Sequence, residues 1–320
     1  MKTLINFVNE NIKLEDIPSN AIFLCSVGYE ERSYYLLDQF RKKLSANNIL
    51  VFAFKNHLSR TNKPNRINEA HLSNVKVHLV EYADFDIFYN STLDFIREKI
   101  SLDSNAYVYI DYSYMPRKWY CKLPLKLTND LNIKNKIVFL YSEGTYPDNY
   151  EEFPSAGIKS FESFSGKSSL RTSAKRTHII ALSYDKIRTE GVLSTLDPES
   201  FIACNAYDVD DKEIHNNVMH LNKSIISRAT LSISFHMDDF SFMIAKLCEI
   251  ANEYLPLGDV IIIPDGPKPL IFALSLIPDI LKKNGITCMQ ILRNDNDDNP
   301  NEVLPSGKVV GFSICQKEIL

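Results

Sequence analysis

Short runs of consecutive apolar residues punctuate the first half of the chain: AIFLCSV (21–27), NILVFAF (48–54), VKVHLVEY (75–82), AYVYIDY (106–112) and KIVFLYS (136–142). Between several of them the apolar positions fall at helical spacing, in ERSYYLLDQFRKKL, DIFYNSTLDFIREKI and KWYCKLPLKLTNDL. Strands that are apolar on both faces, alternating with amphipathic helices, predict a mostly parallel sheet covered on both sides. The first twenty residues, MKTLINFVNENIKLEDIPSN, read as a short helix.

The texture changes after Tyr146. Residues 147–177 are rich in Ser, Glu, Lys and Gly without a strong period, as expected of a connection. The alternation then restarts with HIIALSY (178–184), SFIACNAY (200–207), ATLSISF (229–235), DVIIIP (259–264), ITCMQIL (286–292) and KVVGFSIC (308–315). The pattern therefore predicts an N-terminal lobe over 1–150, a connection over 151–177 and a C-terminal lobe over 178–320. An acidic Asn/Asp/Pro-rich loop, RNDNDDNPNEVLPSG, joins the last two runs and suits a terminal β-hairpin.

The halves share phrases. IFLCSVGYEERSYYLLDQF and HIIALSYDKIRTEGVLSTL each run from apolar strand through Ser, Tyr and an acid to Arg. YVYIDYSYMPRKW and VIIIPDGPKPLIF each run from strand through Asp to a Pro beside a cation. Tyr29 and Asp111 are 82 positions apart, Tyr184 and Asp265 81. The fold class expected is α/β, with two Rossmann-like doubly wound lobes related by internal duplication, the second ending in the hairpin.

In such sheets, ligands bind beyond the carboxyl ends of the strands, near the switch in strand order. That edge should gather Tyr29, Glu30, Glu31, Arg32, Ser33, Asp111, Ser113 and Arg117 in the first lobe. In the second it should gather Tyr184, Asp185, Arg188, Asp265, Gly266 and Lys268. Gly266 permits close backbone approach, and Lys268 stands near a helix N-terminus that favours anions. Glu30, Glu31 and Asp111 are the candidate bases or nucleophiles. The plainer alternative is that these acids cap helices and pair with the arginines.

Composition narrows the field. The chain has 320 residues, 45% hydrophobic and 24% charged, with a net charge of −4. That length suits two domains. The charge gives no general pull toward nucleic acid or an anionic membrane. No signal peptide or spanning segment is visible, and KPLIFALSLIPDIL is broken by Pro278. Six scattered cysteines without a C-x-x-C are those of a reduced, cytoplasmic protein.

Other signals carry less. FSGKSS (164–169) lacks the first glycine of a phosphate-binding loop, since position 161 is Phe. His215 and His220 are badly spaced for a shared metal, and the HMDD stretch (236–239) and EYADFD (81–86) read as helix caps. Neither metal nor cofactor is expected. The loop KNHLSRTNKPNRINEAHLSN (55–74) is long and basic, and reads as a solvated loop, with a lid over the first-lobe site or a nucleic-acid contact as alternatives.

The second lobe resembles the CRISPR-associated Rossmann-fold sensor domains, on SYDKIR after its first strand and PDGPKP after its fourth. The resemblance covers about residues 178–317 and extends more faintly to 20–145. It departs from that family's usual Gly-Thr-Lys in having Gly-Pro-Lys. It implies a nucleotide-like ligand and a role as sensor or effector component in bacterial antiviral defence, with an effector protein as partner; a homo-oligomer is a further expectation. The alternative is a hydrolase or transferase acting on a glycosidic or phosphoester bond of a nucleotide, with its acid/Arg site in the N-terminal lobe.

Overall fold

The computed structural model describes residues 3–55, 74–131, 136–145, 157–169, 175–208, 210, 212–292 and 303–318. The loop expected over 55–74 and the acidic loop before residue 303 lie almost wholly outside them. The chain is α/β, with one seven-stranded and one six-stranded mixed sheet. It forms two compact units, residues 1–146 with 298–320 and residues 147–297.

In the first unit, β2 (Ile22–Val27) and β3 (Ile49–Phe54) are buried along their whole length, as their unbroken apolar runs require. They lie parallel to β4 (Lys76–Val80), β5 (Val108–Asp111) and β6 (Ile137–Thr145), in the order β4-β3-β2-β5-β6. Side chains alternate between two cores. Phe23, Cys25, Val27, Val51 and Ala53 pack against Leu36, Leu37 and Phe40 of α1 (Arg32–Arg41), with the Phe23 and Phe40 rings stacked 4.0 Å apart. On the other side the Phe52 ring meets Phe88 of α2 (Phe85–Leu102) and Trp119 of α3 (Arg117–Asp130), whose rings stack at 4.1 Å.

Two antiparallel strands complete this sheet. β13 (Leu304–Glu318) pairs with β6, and β1 (Thr3–Glu10) pairs with β13 from Thr3↔Glu318 to Glu10↔Gly311. The N-terminal segment is thus a strand and not a helix: its Phe7 meets Phe312 of β13 at 6.2 Å, a partner no local pattern reveals. The terminal hairpin is corrected in the same way. β12 (Ile286–Leu292) pairs with β11 (Gly258–Ile263) and β7 (Ser160–Lys167), whereas β13 belongs to the first sheet. The physical reason is apolar complementarity, with Phe312 stacked on Phe139 of β6 at 5.3 Å.

The second sheet runs β10-β9-β8-β11-β12-β7, where β8 is Lys175–Ala181, β9 Ser200–Tyr207 and β10 Leu231–His236. All pairs are parallel except β12 with β7. β7 lies inside the expected connection. Its polar sequence, SFESFSGK, suits an edge strand exposed along most of its length and so escapes a search for apolar runs. It also ends the phosphate-loop reading, since Gly166 and Lys167 finish a strand. One face of the sheet packs Ile180, Leu182, Phe201, Ala203 and Ile263 against α4 (Lys186–Leu196), α5 (Lys212–Leu221) and α6 (Lys223–Ile226) through Val192, Leu193, Val218 and Ile225. Two further helices, α7 (Phe240–Tyr254) and α8 (Lys268–Leu281), meet through Phe240 and Phe272 at 5.7 Å. The described cysteines are free thiols, and among the described residues no helix is long and apolar enough to cross a membrane.

Candidate functional site

Each sheet has its own switch point. In the first, the chain order turns between β2 and β5; in the second, between β8 and β11. The loops that leave these four strands carry the repeated phrases of the sequence.

In the first unit the crevice beyond β2 and β5 is filled with tyrosine. A Cβ on Gly28 would lie 2.2 Å from the Tyr114 ring, so glycine is required where that ring crosses the loop. Tyr114 meets Tyr29 edge-on at 6.1 Å, and the Tyr34 hydroxyl donates to the Gly28 carbonyl at 3.1 Å. Burial, with Glu30 nearby, raises the Tyr114 phenol well above its ordinary range.

The charged residues of this unit are engaged in several places. Arg32, 6% exposed, donates to Glu30 at 2.9 Å and to the Tyr141 hydroxyl at 3.2 Å. Ser33 closes the turn, accepting from the Gly28 N–H and donating to the Glu30 carbonyl. Asp111, 1% exposed, accepts from the backbone N–H of Ser113 at 2.8 Å and from its hydroxyl. The Ser113 hydroxyl in turn accepts from Ser142 N–H at 2.7 Å, which ties β5 to β6. Burial, with Asp111 beside it, raises the Cys25 thiol. Arg117 hydrogen-bonds the Tyr120 phenol, whose ionisation burial opposes. The Tyr112 ring bridges the Arg32 and Arg117 clusters, stacked on Tyr141 at 5.6 Å and tilted against Tyr120 at 5.4 Å. Glu31 is exposed. Asp111 is therefore a buried turn-former, poorly placed to meet a substrate.

In the second unit the corresponding acid and arginine meet directly. Asp185 caps α4, accepting from Arg188 N–H at 2.8 Å, and its other oxygen accepts from Arg188 Nη1 at 2.6 Å. Arg188 Nε and Nη2 both reach Oδ2 of Asp265 at 2.7 Å. Arg188 and Asp265 are 6% and 4% exposed, so the guanidinium is a buried clasp between the loops that follow β8 and β11. Gly266 follows at once. A Cβ there would sit 2.9 Å from the Leu182 carbonyl oxygen, so the two loop backbones come into close contact. α8 then opens at Lys268, behind Pro267 and without a side-chain cap. Tyr184, Gly266 and Lys268 are half-buried at this junction. Partial charges on the first N–H groups of α8 favour an anion there.

The same edge carries a cluster that sequence reading passed over. The Asn205 amide meets His215 Nδ1 at 2.9 Å, and the Tyr207 hydroxyl meets His236 Nε2 at 2.8 Å. The Tyr207 ring lies 4.3 Å from the His215 ring and 4.7 Å from that of His236. Burial lowers the His215 pKa. The available signal was Asn205, a polar residue at 3% exposure inside an apolar strand, which requires a partner. Among the described residues no group of three His, Cys, Asp or Glu side chains is arranged to hold a metal. Asp239 caps α7, as HMDD suggests, whereas Asp84 stands at the start of α2 without a side-chain capping bond. No protein-family model and no curated protein matches the chain.

Proposed function

We propose that the protein binds a phosphate-bearing, nucleotide-like ligand at the carboxyl edge of its second sheet, and acts as a sensor or effector component in antiviral defence. The observation that carries the reading is the β8–β11 junction. There Arg188 clasps the two loops, Gly266 brings their backbones together, and the uncapped N-terminus of α8 opens beside Lys268. The first unit supports a ligand site less well, because Tyr114 covers Gly28 and Asp111 is spent on its own turn. The resemblance of SYDKIR and PDGPKP to CRISPR-associated sensor domains puts cyclic oligonucleotides among the ligands to try. The test is a thermal-shift screen of the full chain against mononucleotides, dinucleotides and cyclic oligonucleotides, followed by calorimetric titration. Failure of every phosphate-bearing compound to shift melting or release heat defeats the reading.

A second reading, a hydrolase or transferase of nucleotide bonds, draws on one observation. Two imidazoles flank Tyr207 at the same sheet edge, held by Asn205 and by the Tyr207 hydroxyl, as general acids and bases are held. Chromatography of each ligand after incubation separates the readings, since a pure sensor returns it unchanged.

A further inference from the structure

Among the described residues four strands lie at sheet edges: β1 and β4 in the first sheet, β10 and β7 in the second. An open edge invites pairing with another chain, and folded proteins guard such edges with charge, proline, glycine or bulges. β1 carries Glu10, β4 carries Lys76, and β7 carries Glu162, Lys167 and Gly166 at a φ of 83°. β10 reads Leu-Ser-Ile-Ser-Phe-His and has none of these guards. Among the described residues it pairs only with β9, and Leu231 at its start is 37% exposed.

The strand is also complementary to itself. Its register with β9 sets Leu231, Ile233 and Phe235 opposite Ile202, Cys204 and Ala206, and sets Ser232 and Ser234 opposite Ala203 and Asn205. The apolar set lies on the α7 side, where Phe235 meets Phe242, itself 53% exposed. Read in either direction from Ile233, polarity is the same: polar Ser, then large apolar. Antiparallel pairing of two copies about Ile233 therefore places Leu231 against the partner's Phe235, Ser232 against the partner's Ser234, and Ile233 against the partner's Ile233.

We propose that β10 joins β10 of a second copy about a two-fold axis at Ile233, fusing two six-stranded sheets into one. Such a contact is isologous and closes as a dimer, with no open chain of copies. The inference is independent of the ligand reading.

The test uses the full chain. Sedimentation equilibrium over micromolar to millimolar concentration should show a monomer–dimer equilibrium, and Ile233→Lys should remain monomeric with an unchanged circular dichroism spectrum. Directly opposed residues of an antiparallel pair have Cα atoms roughly 4.5–5.5 Å apart, within disulfide reach. Ile233→Cys should therefore form a disulfide-linked dimer under mild oxidant above the wild-type background. Ser232→Cys alone should not, but Ser232→Cys mixed with Ser234→Cys should. These cross-links decide the matter even where Ile233→Lys misfolds. A wild-type monomer at every concentration, a dimer that survives Ile233→Lys, or Ser232→Cys linking as readily as Ile233→Cys overturns the proposal.

Discussion

Arg188 directs Nε and Nη2 to one oxygen of Asp265, each at 2.7 Å, across a separation of 77 residues in sequence. Both partners are withdrawn from water, so removing either strands a buried charge. Asp265→Ala and Arg188→Ala are each expected to destabilise the second unit by about 3–5 kcal/mol. The double variant Arg188→Ala with Asp265→Ala should cost clearly less than the sum of the two single variants. Urea unfolding, followed by probes that separate the two units, measures this; strict additivity would mean that the clasp is not a coupled pair.

Gly28 and Tyr114 form a second couple. A methyl group at position 28 collides with the tyrosine ring, so Gly28→Ala should destabilise the first unit by about 1–3 kcal/mol. Adding Tyr114→Ala should recover part of that loss, although Tyr114→Ala alone is destabilising. The observable is the sign of the coupling energy in a double-mutant cycle, and a value near zero refutes the contact.

His178 predicts a pH dependence. It sits in β8, fully buried, between Phe201 and Ile261 in the neighbouring strands, with neither ring nitrogen hydrogen-bonded. Burial, with Arg176 as a lesser cause, lowers its pKa from 6.5 to about 4. The folded chain therefore keeps the ring neutral while the unfolded chain protonates below about 6.5. Stability from this residue is fully present above that pH and falls as pH drops toward 4, by about 3 kcal/mol in all. His178→Phe should flatten the pH 4–6.5 part of the stability profile, and an unaltered slope would rule the residue out as its source.

Lys268 tests the proposed ligand site. Charge-assisted hydrogen bonds contribute about 1.5–3 kcal/mol, so Lys268→Ala should weaken binding roughly ten- to a hundredfold with little change in melting temperature. Calorimetric titration of both proteins with the compound found in the screen gives the comparison. Equal affinities would leave Lys268 as a helix-opening residue only.

The doubly wound order was legible because β2, β3, β8 and β11 are apolar runs followed at once by polar turns. Asp185, Arg188 and Asp265 were legible for the same reason, since each lies just beyond a strand end. What the pattern hid was non-local. β7 is a polar edge strand, and β1 finds its partner only at the opposite end of the sequence. The Asn205–Tyr207–His215–His236 cluster depends on the register that sets Tyr207 opposite His236, which neither segment reveals by itself. Asp111 ends β5 and Arg32 opens α1, at the strand ends where the sequence set them, but tyrosine packing around Arg32 and the Ser113 turn at Asp111, both invisible to spacing, decided what each touches.

The pairing of β13 between β6 and β1 has a consequence for synthesis on the ribosome. Residues 147–297 emerge whole and can mature as a unit while the first sheet still lacks its bridging strand. Among the described residues, until residue 304 and beyond appear, β6 has no strand on its outer side and β1 has none at all. The domain begun first is thus the domain finished last, and a nascent chain stalled before β13 presents two unsatisfied strands to chaperones and proteases.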